Sequence, residues 1–251
     1  MFKLTSCFKS SQPSYSTGIN LFDHVVKPVL TYASDIWGCD RIKKNNSFFN
    51  WMMNDPLEKC HLKYLRYILG VNKHAPKLAI YGDSGRFPLA IDSLISSIKY
   101  LHRLLNMSAD ENPLLYETFR ENQNLCITTS WFHKIKTFLS RLGVDLNLIQ
   151  NQNIKKSVQY VKSYLRNIFI VEWKAELFND NRKRKHGNKL RCYRQFKTTF
   201  HTESYLLECH NRMHRQYFAK LRLSAHKLHI ETGRYCNSNR LSPFYNDMYI
   251  L

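Results

Sequence analysis

A chain of 251 residues with 43% hydrophobic and 14% aromatic content has the material for one large or two modest cores, which excludes disorder throughout. Its 38 Lys and Arg against 19 Asp and Glu leave a net charge of +19, so the surface suits polyanions, nucleic acid before an anionic membrane. Seven scattered cysteines show no disulfide framework and no apolar run approaches the roughly 20 residues of a bilayer span, so a soluble intracellular protein is expected rather than a secreted or membrane one.

Residues 1–20 open with a Ser-rich stretch that has Lys, no acidic side chain and no apolar period. It is short and lacks Arg, so a poorly ordered or cut start fits it better than a transit peptide. From 21 to 106 the apolar spacing is helical. In PLEKCHLKYLRYIL, residues 56–69, Leu57, His61, Tyr64, Leu65 and Ile68 share one face and Lys59, Lys63 and Arg66 another. Asp55 is placed to cap this helix, Pro56 to begin it, Glu58 to close a capping box, and Gly70 to end it in the left-handed conformation. A second helix opens at Pro88 and reaches about 106, with Ile91, Leu94, Ile95, Ile98, Leu101 and Leu105 in three- and four-residue steps.

Residues 107–178 read as a helical connector. One helix begins at Asn112-Pro113 and another runs from Ser130 to Leu142, stopped by Gly143. The longest pattern runs from Ile154 through Val158, Val161, Leu165, Ile168 and Trp173 to Leu177. Residues 179–189 (NDNRKRKHGNK) form a basic linker, 190–235 a basic helical unit, and 236–251 a tail. No segment sustains strand-like alternation, so the expected fold class is all-α: an irregular multi-helix bundle with no sheet of more than two strands.

The basic excess leans toward the carboxy-terminal part, where residues 151–251 hold 20 Lys and Arg against 7 Asp and Glu. Within it, residues 182–197 (RKRKHGNKLRCYRQFK) place eight Lys or Arg in sixteen positions without one acid. Arg182, Lys183, Arg184, Lys185, Lys189, Arg191, Arg194 and Lys197 are therefore candidate phosphate contacts, with Tyr193 and Phe196 as flat faces for unpaired bases. A nuclear-localisation signal in Arg182 to Lys185, or a solvated loop, is the plainer alternative. In LRLSAHKLHIETGRY, residues 221–235, Leu221, Ala225, Leu228 and Thr232 fall at helical steps. Arg222 is then expected beside a buried stripe, reaching solvent as a further nucleic-acid contact, and Arg234 at a helix end where it serves stability.

Other chemistry is thin. Nine His or Cys residues lie between His186 and Cys236, but without any Cys-x-x-Cys pair, and no metal site is expected. No cofactor is implied, because glycine-rich phosphate loops, Gly-x-Ser-x-Gly elbows and His-Glu-x-x-His helices are missing from the sequence. Tyr81-Gly82-Asp83-Ser84-Gly85-Arg86 reads as a tight turn between helices, with Asp83 or Arg86 pinning backbone groups.

Four stretches, in order, resemble the segment behind the polymerase palm of non-LTR (LINE-type) retrotransposon reverse transcriptases. They are LFDHVVKPVLTYASDIWG at 21–38, LEKCHLKYLRYILGVNKHAPKLAIYGDSGRFPLAI at 57–91, KYLHRL at 99–104 and LRLSAHKLHIETGRY at 221–235. Asp83 stands where that family more often has Glu, and the Cys-x-x-Cys knuckle that commonly follows Gly-Arg-Tyr is replaced by CNSNRLSPFYNDMYIL. The resemblance implies a thumb-like helical segment at 21–106 and a carboxy-terminal helical region that holds RNA or DNA. The adjacent Asp pair that marks the polymerase palm occurs nowhere in the chain, so no catalysis by this chain alone is expected. A non-catalytic, nuclear, RNA- or DNA-binding fragment of such a polymerase is the favoured expectation; a nuclear helical scaffold whose basic run is only an address is the alternative.

Overall fold

The computed structural model describes residues 14–39, 48–125, 129–151, 154–179 and 190–226. The elements among them are helical, no strand is present there, and Ser84 and Thr202 form an isolated antiparallel bridge, as the all-α expectation requires. Among the described residues no helix is long and apolar enough to cross a membrane.

In chain order, α1 (Tyr15–Leu21) runs into a π-helical turn (Phe22–Val26) and α2 (Lys27–Leu30). Pro28 offers no amide to this ladder, which widens just before it. Then come α3 (Ser34–Trp37), α4 (Phe48–Asn54) and α5 (Pro56–Leu69). The amide of Leu57 donates to Asp55 at 2.8 Å, and α5 closes as the Val71 amide reaches back to the Arg66 carbonyl across Gly70 at φ +67°. Helices α6 (Lys77–Ser84), α7 (Leu89–Leu105), α8 (Pro113–Asn124), α9 (Trp131–Arg141), α10 (Leu146–Asn151) and α11 (Ile154–Phe178) follow. Asn112 caps α8 by accepting from the Leu115 amide, and Ser130 caps α9 by accepting from that of His133. Gly143, at φ +66°, ends α9 as expected. Three short helices close the described chain: α12 (Tyr193–Phe196), α13 (Ser204–Glu208) and α14 (Arg212–Arg222).

The chain forms two compact units that do not follow its linear order. One gathers the described residues of 1–20, 62–86 and 174–251; the other those of 21–61 and 87–173. The second unit is built on α7, which buries Leu89, Ile91, Leu94, Ile95, Ile98 and Leu101. The part of α11 in this unit buries Val158, Val161, Leu165, Phe169 and Trp173, and the Phe169 ring meets Phe49 at 5.5 Å and Phe87 at 5.8 Å. Glu58 also reaches beyond its own helix. Its buried carboxylate accepts from the Leu89 amide and, at 3.4 Å, from that of Ala90, so a charge on α5 holds the positive end of α7.

Close approach of α3 to α7 depends on Gly38. A Cβ there would lie 2.4 Å from the carbonyl oxygens of both Ser34 and Ser93, and the Ser97 hydroxyl donates to the Ser34 carbonyl at 2.9 Å. Gly38→Ala is expected to lower stability by about 1–3 kcal/mol, because backbone oxygens cannot step aside as a side-chain tip does. Urea unfolding followed by circular dichroism reads this, and an unchanged midpoint would show that the contact yields.

Candidate nucleic-acid interface

The first unit is organised around the end of α6. Gly85 stops the helix at φ +62°, and a Cβ there would come within 2.4 Å of the Thr202 amide nitrogen, so only glycine lets the 201–203 segment approach. The Glu203 amide donates to the Asp83 carbonyl at 2.9 Å, and the Thr202 hydroxyl to the Ser84 carbonyl at 3.0 Å.

Three side chains then close on the carboxylate of Asp83, which is fully buried. Tyr193 donates its hydroxyl to Oδ1 at 2.8 Å and Tyr205 to Oδ2 at 2.9 Å. Arg222 donates Nε to Oδ2 at 3.0 Å and Nη2 to Oδ1 at 3.2 Å, the two-pronged pairing that suits a planar guanidinium. Glu203 completes the set: it pairs with Arg222 Nη2 at 2.8 Å and with the ammonium of Lys197, which also donates to the His201 carbonyl at 2.8 Å. The Arg222 guanidinium lies over the rings of Phe196 at 4.5 Å and Tyr205 at 5.4 Å.

Electrostatics follow from this packing. Burial, reinforced by the charge of Asp83, pushes both Tyr193 and Tyr205 well above an ordinary phenol. Burial lowers Lys197 despite its pairing with Glu203. Burial alone would lower Arg222 too, but its hydrogen bonds and attraction to Asp83 outweigh that and raise it. Two carboxylates and two cations neutralise one another through these bonds, so the cluster is a clamp that joins α6 to the 193–222 segment.

This corrects several expectations. Tyr81 to Ser84 belong to α6, and Asp83 takes side-chain donors from 110 to 139 residues away in addition to lying at a helix end. Tyr193 presents no free face to a base, because its ring is buried and its hydroxyl is directed inward. Lys197 is buried on Glu203 and offers no phosphate contact. Arg222 spends its planar edge on Asp83 and is only 22% exposed, so Arg222→Ala is expected to act on folding. The helix expected to about 232 ends at Arg222. Ser224 adopts φ +48° and the Ala225 amide turns back to the Lys220 carbonyl, so Leu221 and Ala225 do not share a helical stripe.

Of the other candidates, Arg191 and Phe196 are exposed, and Arg194 is half-buried with its guanidinium over Phe178 at 5.8 Å. Arg182, Lys183, Arg184, Lys185, Lys189 and Arg234 lie outside the described residues. Sequence reasoning passed over the outer face of α14, where Met213, Tyr217, Phe218 and Leu221 are each more than half exposed. Their four-residue steps imitate a core stripe, and only the burial of Arg215 and Ala219 on the other side shows which face looks outward.

The tertiary division also sharpens the charge asymmetry. Among the described residues, the first unit holds 13 Lys and Arg against 4 Asp and Glu, and the second 12 against 11. Within the first unit, Asp83 and Glu203 are set against Lys197 and Arg222. Among the described residues no group of three His, Cys, Asp or Glu side chains is placed to hold a metal ion. No family model matches the chain, and neither a curated protein nor a solved structure does.

Proposed function

We propose that this chain is a non-catalytic RNA- or DNA-binding piece corresponding to the post-palm region of a non-LTR retrotransposon reverse transcriptase, working in the nucleus. The observation that carries binding is the excess of basic over acidic side chains in one unit, 13 Lys and Arg against 4 Asp and Glu among its described residues. Polyanions are attracted to such a surface by release of their condensed counterions. The retrotransposon origin rests on the four ordered sequence resemblances. It assigns no polymerase turnover to this chain by itself, since the sequence has no adjacent Asp pair for a two-metal site.

The test is a salt titration with labelled RNA and DNA. With about five phosphate contacts, affinity for a single strand falls on the order of 100-fold between about 50 and 200 mM salt. Neutralising Arg182, Lys183, Arg184 and Lys185 together weakens binding to every sequence tried and flattens the slope of log K against log salt by roughly 0.7 per lost contact. No binding at the lower salt would overturn the proposal. If the wild-type chain binds but the quadruple variant keeps its affinity and slope while losing nuclear entry, that run is a localisation signal and not part of the interface.

A further inference from the structure

We infer that the outer face of α14 is a platform for single-stranded nucleic acid, on which Tyr217 and Phe218 stack against unpaired bases and Lys220 meets a flanking phosphate. This rests on the polyanion binding proposed above, and gives it a place and a strand preference.

The helix RMHRQYFAKLR carries four Lys or Arg and no acidic residue. Its inner side buries Arg215 and Ala219. At 100° per residue, Met213, Tyr217, Lys220 and Leu221 fall together on the opposite side, with Phe218 at its margin, 6.2 Å from the Tyr205 ring. An apolar protein partner would leave the Lys220 ammonium on this face stranded, whereas a flexible polyanion with flat apolar bases satisfies both kinds of group. Lys220 already stands 5.4 Å from the centroid of the Tyr217 ring, so charge and aromatic surface are adjacent. A duplex hides its base faces inside its own stack and has nothing to offer Tyr217. Strand selectivity is therefore the property that separates this platform from a general basic surface.

The experiment measures anisotropy of the full chain with a labelled oligoadenylate RNA of about 12 nucleotides and with the same RNA as a duplex. Tyr217→Leu and Phe218→Leu keep apolar bulk but remove the aromatic faces. Each is expected to weaken single-strand binding about 5- to 150-fold, the equivalent of one lost base stack, and to leave duplex binding and the melting temperature as they were. Tyr217→Phe retains the affinity, and Lys220→Gln flattens the single-strand salt slope by roughly 0.7, so the platform can be judged even where a Leu variant folds poorly. Leu variants that bind the single strand like the wild type overturn the inference, as do equal losses on both substrates. A dimer in sedimentation that Tyr217→Leu dissociates overturns it too, by assigning the face to a second copy of the chain. If the wild type binds neither RNA form at low salt, the polyanion proposal falls with it; if it binds both and only the Leu variants show no effect, the platform alone falls.

Discussion

Replacing Asp83 with alanine is expected to destabilise the first unit by about 3–5 kcal/mol, the range for removing one partner of a buried ion pair. The loss comes from what is left behind. The guanidinium of Arg222 and the Tyr205 hydroxyl lose the acceptors they meet at 2.9 to 3.2 Å, and Tyr193 keeps only the Ala79 carbonyl at 3.2 Å. Arg222 retains 22% side-chain exposure and recovers some hydration, which holds the effect toward the lower end of that range. Asp83→Asn, which keeps the shape and one acceptor, falls between wild type and alanine. The double variant Asp83→Ala with Arg222→Ala is expected to cost less than the two single variants added together, since the interaction between them is then lost once rather than counted twice. Urea unfolding by circular dichroism measures all three, and additive losses would show that the pair does not act as a unit.

Alkaline titration is expected to unfold the chain through the same cluster. Burial first, and the negative charge of Asp83 second, hold the Tyr193 and Tyr205 hydroxyls protonated well above an ordinary phenol. In the unfolded chain both release their protons near pH 10, so above that pH the native state binds more protons than the unfolded one. Their contribution to stability is complete below about pH 10 and is lost as pH rises beyond it, by about 1.4 kcal/mol per pH unit for each tyrosine. Lys197 acts in the opposite sense. Its pKa is lowered by burial, so it adds stability as pH rises from its folded value to the unfolded one near 10.5, and it only blunts the onset of the fall. Urea midpoints measured at successive pH values above about 9 should show this decline, and Tyr193→Phe and Tyr205→Phe should each make it shallower. A decline equally steep in the double Phe variant would trace alkaline unfolding to other groups.

The difference between Glu58 and Asp55 shows where local sequence stops being informative. Asp55 caps its own helix two residues on, a bond of short range that the Asp-Pro-x-Glu pattern announces. Glu58, in the same pattern, reaches Leu89 and Ala90, 31 and 32 residues away, because α7 brings its free amides to a buried carboxylate.

What the sequence determined by itself is therefore the helical character, the starts of α5, α8 and α9, the Gly70 and Gly143 stops and the sign of the charge. Each follows from contacts within about one helical turn, or from composition alone. Tertiary structure decided which polar residues became framework and which remained surface. Tyr193, Lys197 and Arg222 look like binding residues in a basic run, yet their partners Asp83 and Glu203 neutralise them within the fold, the first from more than 100 residues away. Tyr217 and Leu221 look like a core stripe, yet Arg215 and Ala219 take the inner face of α14. Periodicity reports that a helix has two faces; the choice of which one is buried belongs to the surfaces packed against it, and those come from distant parts of the chain.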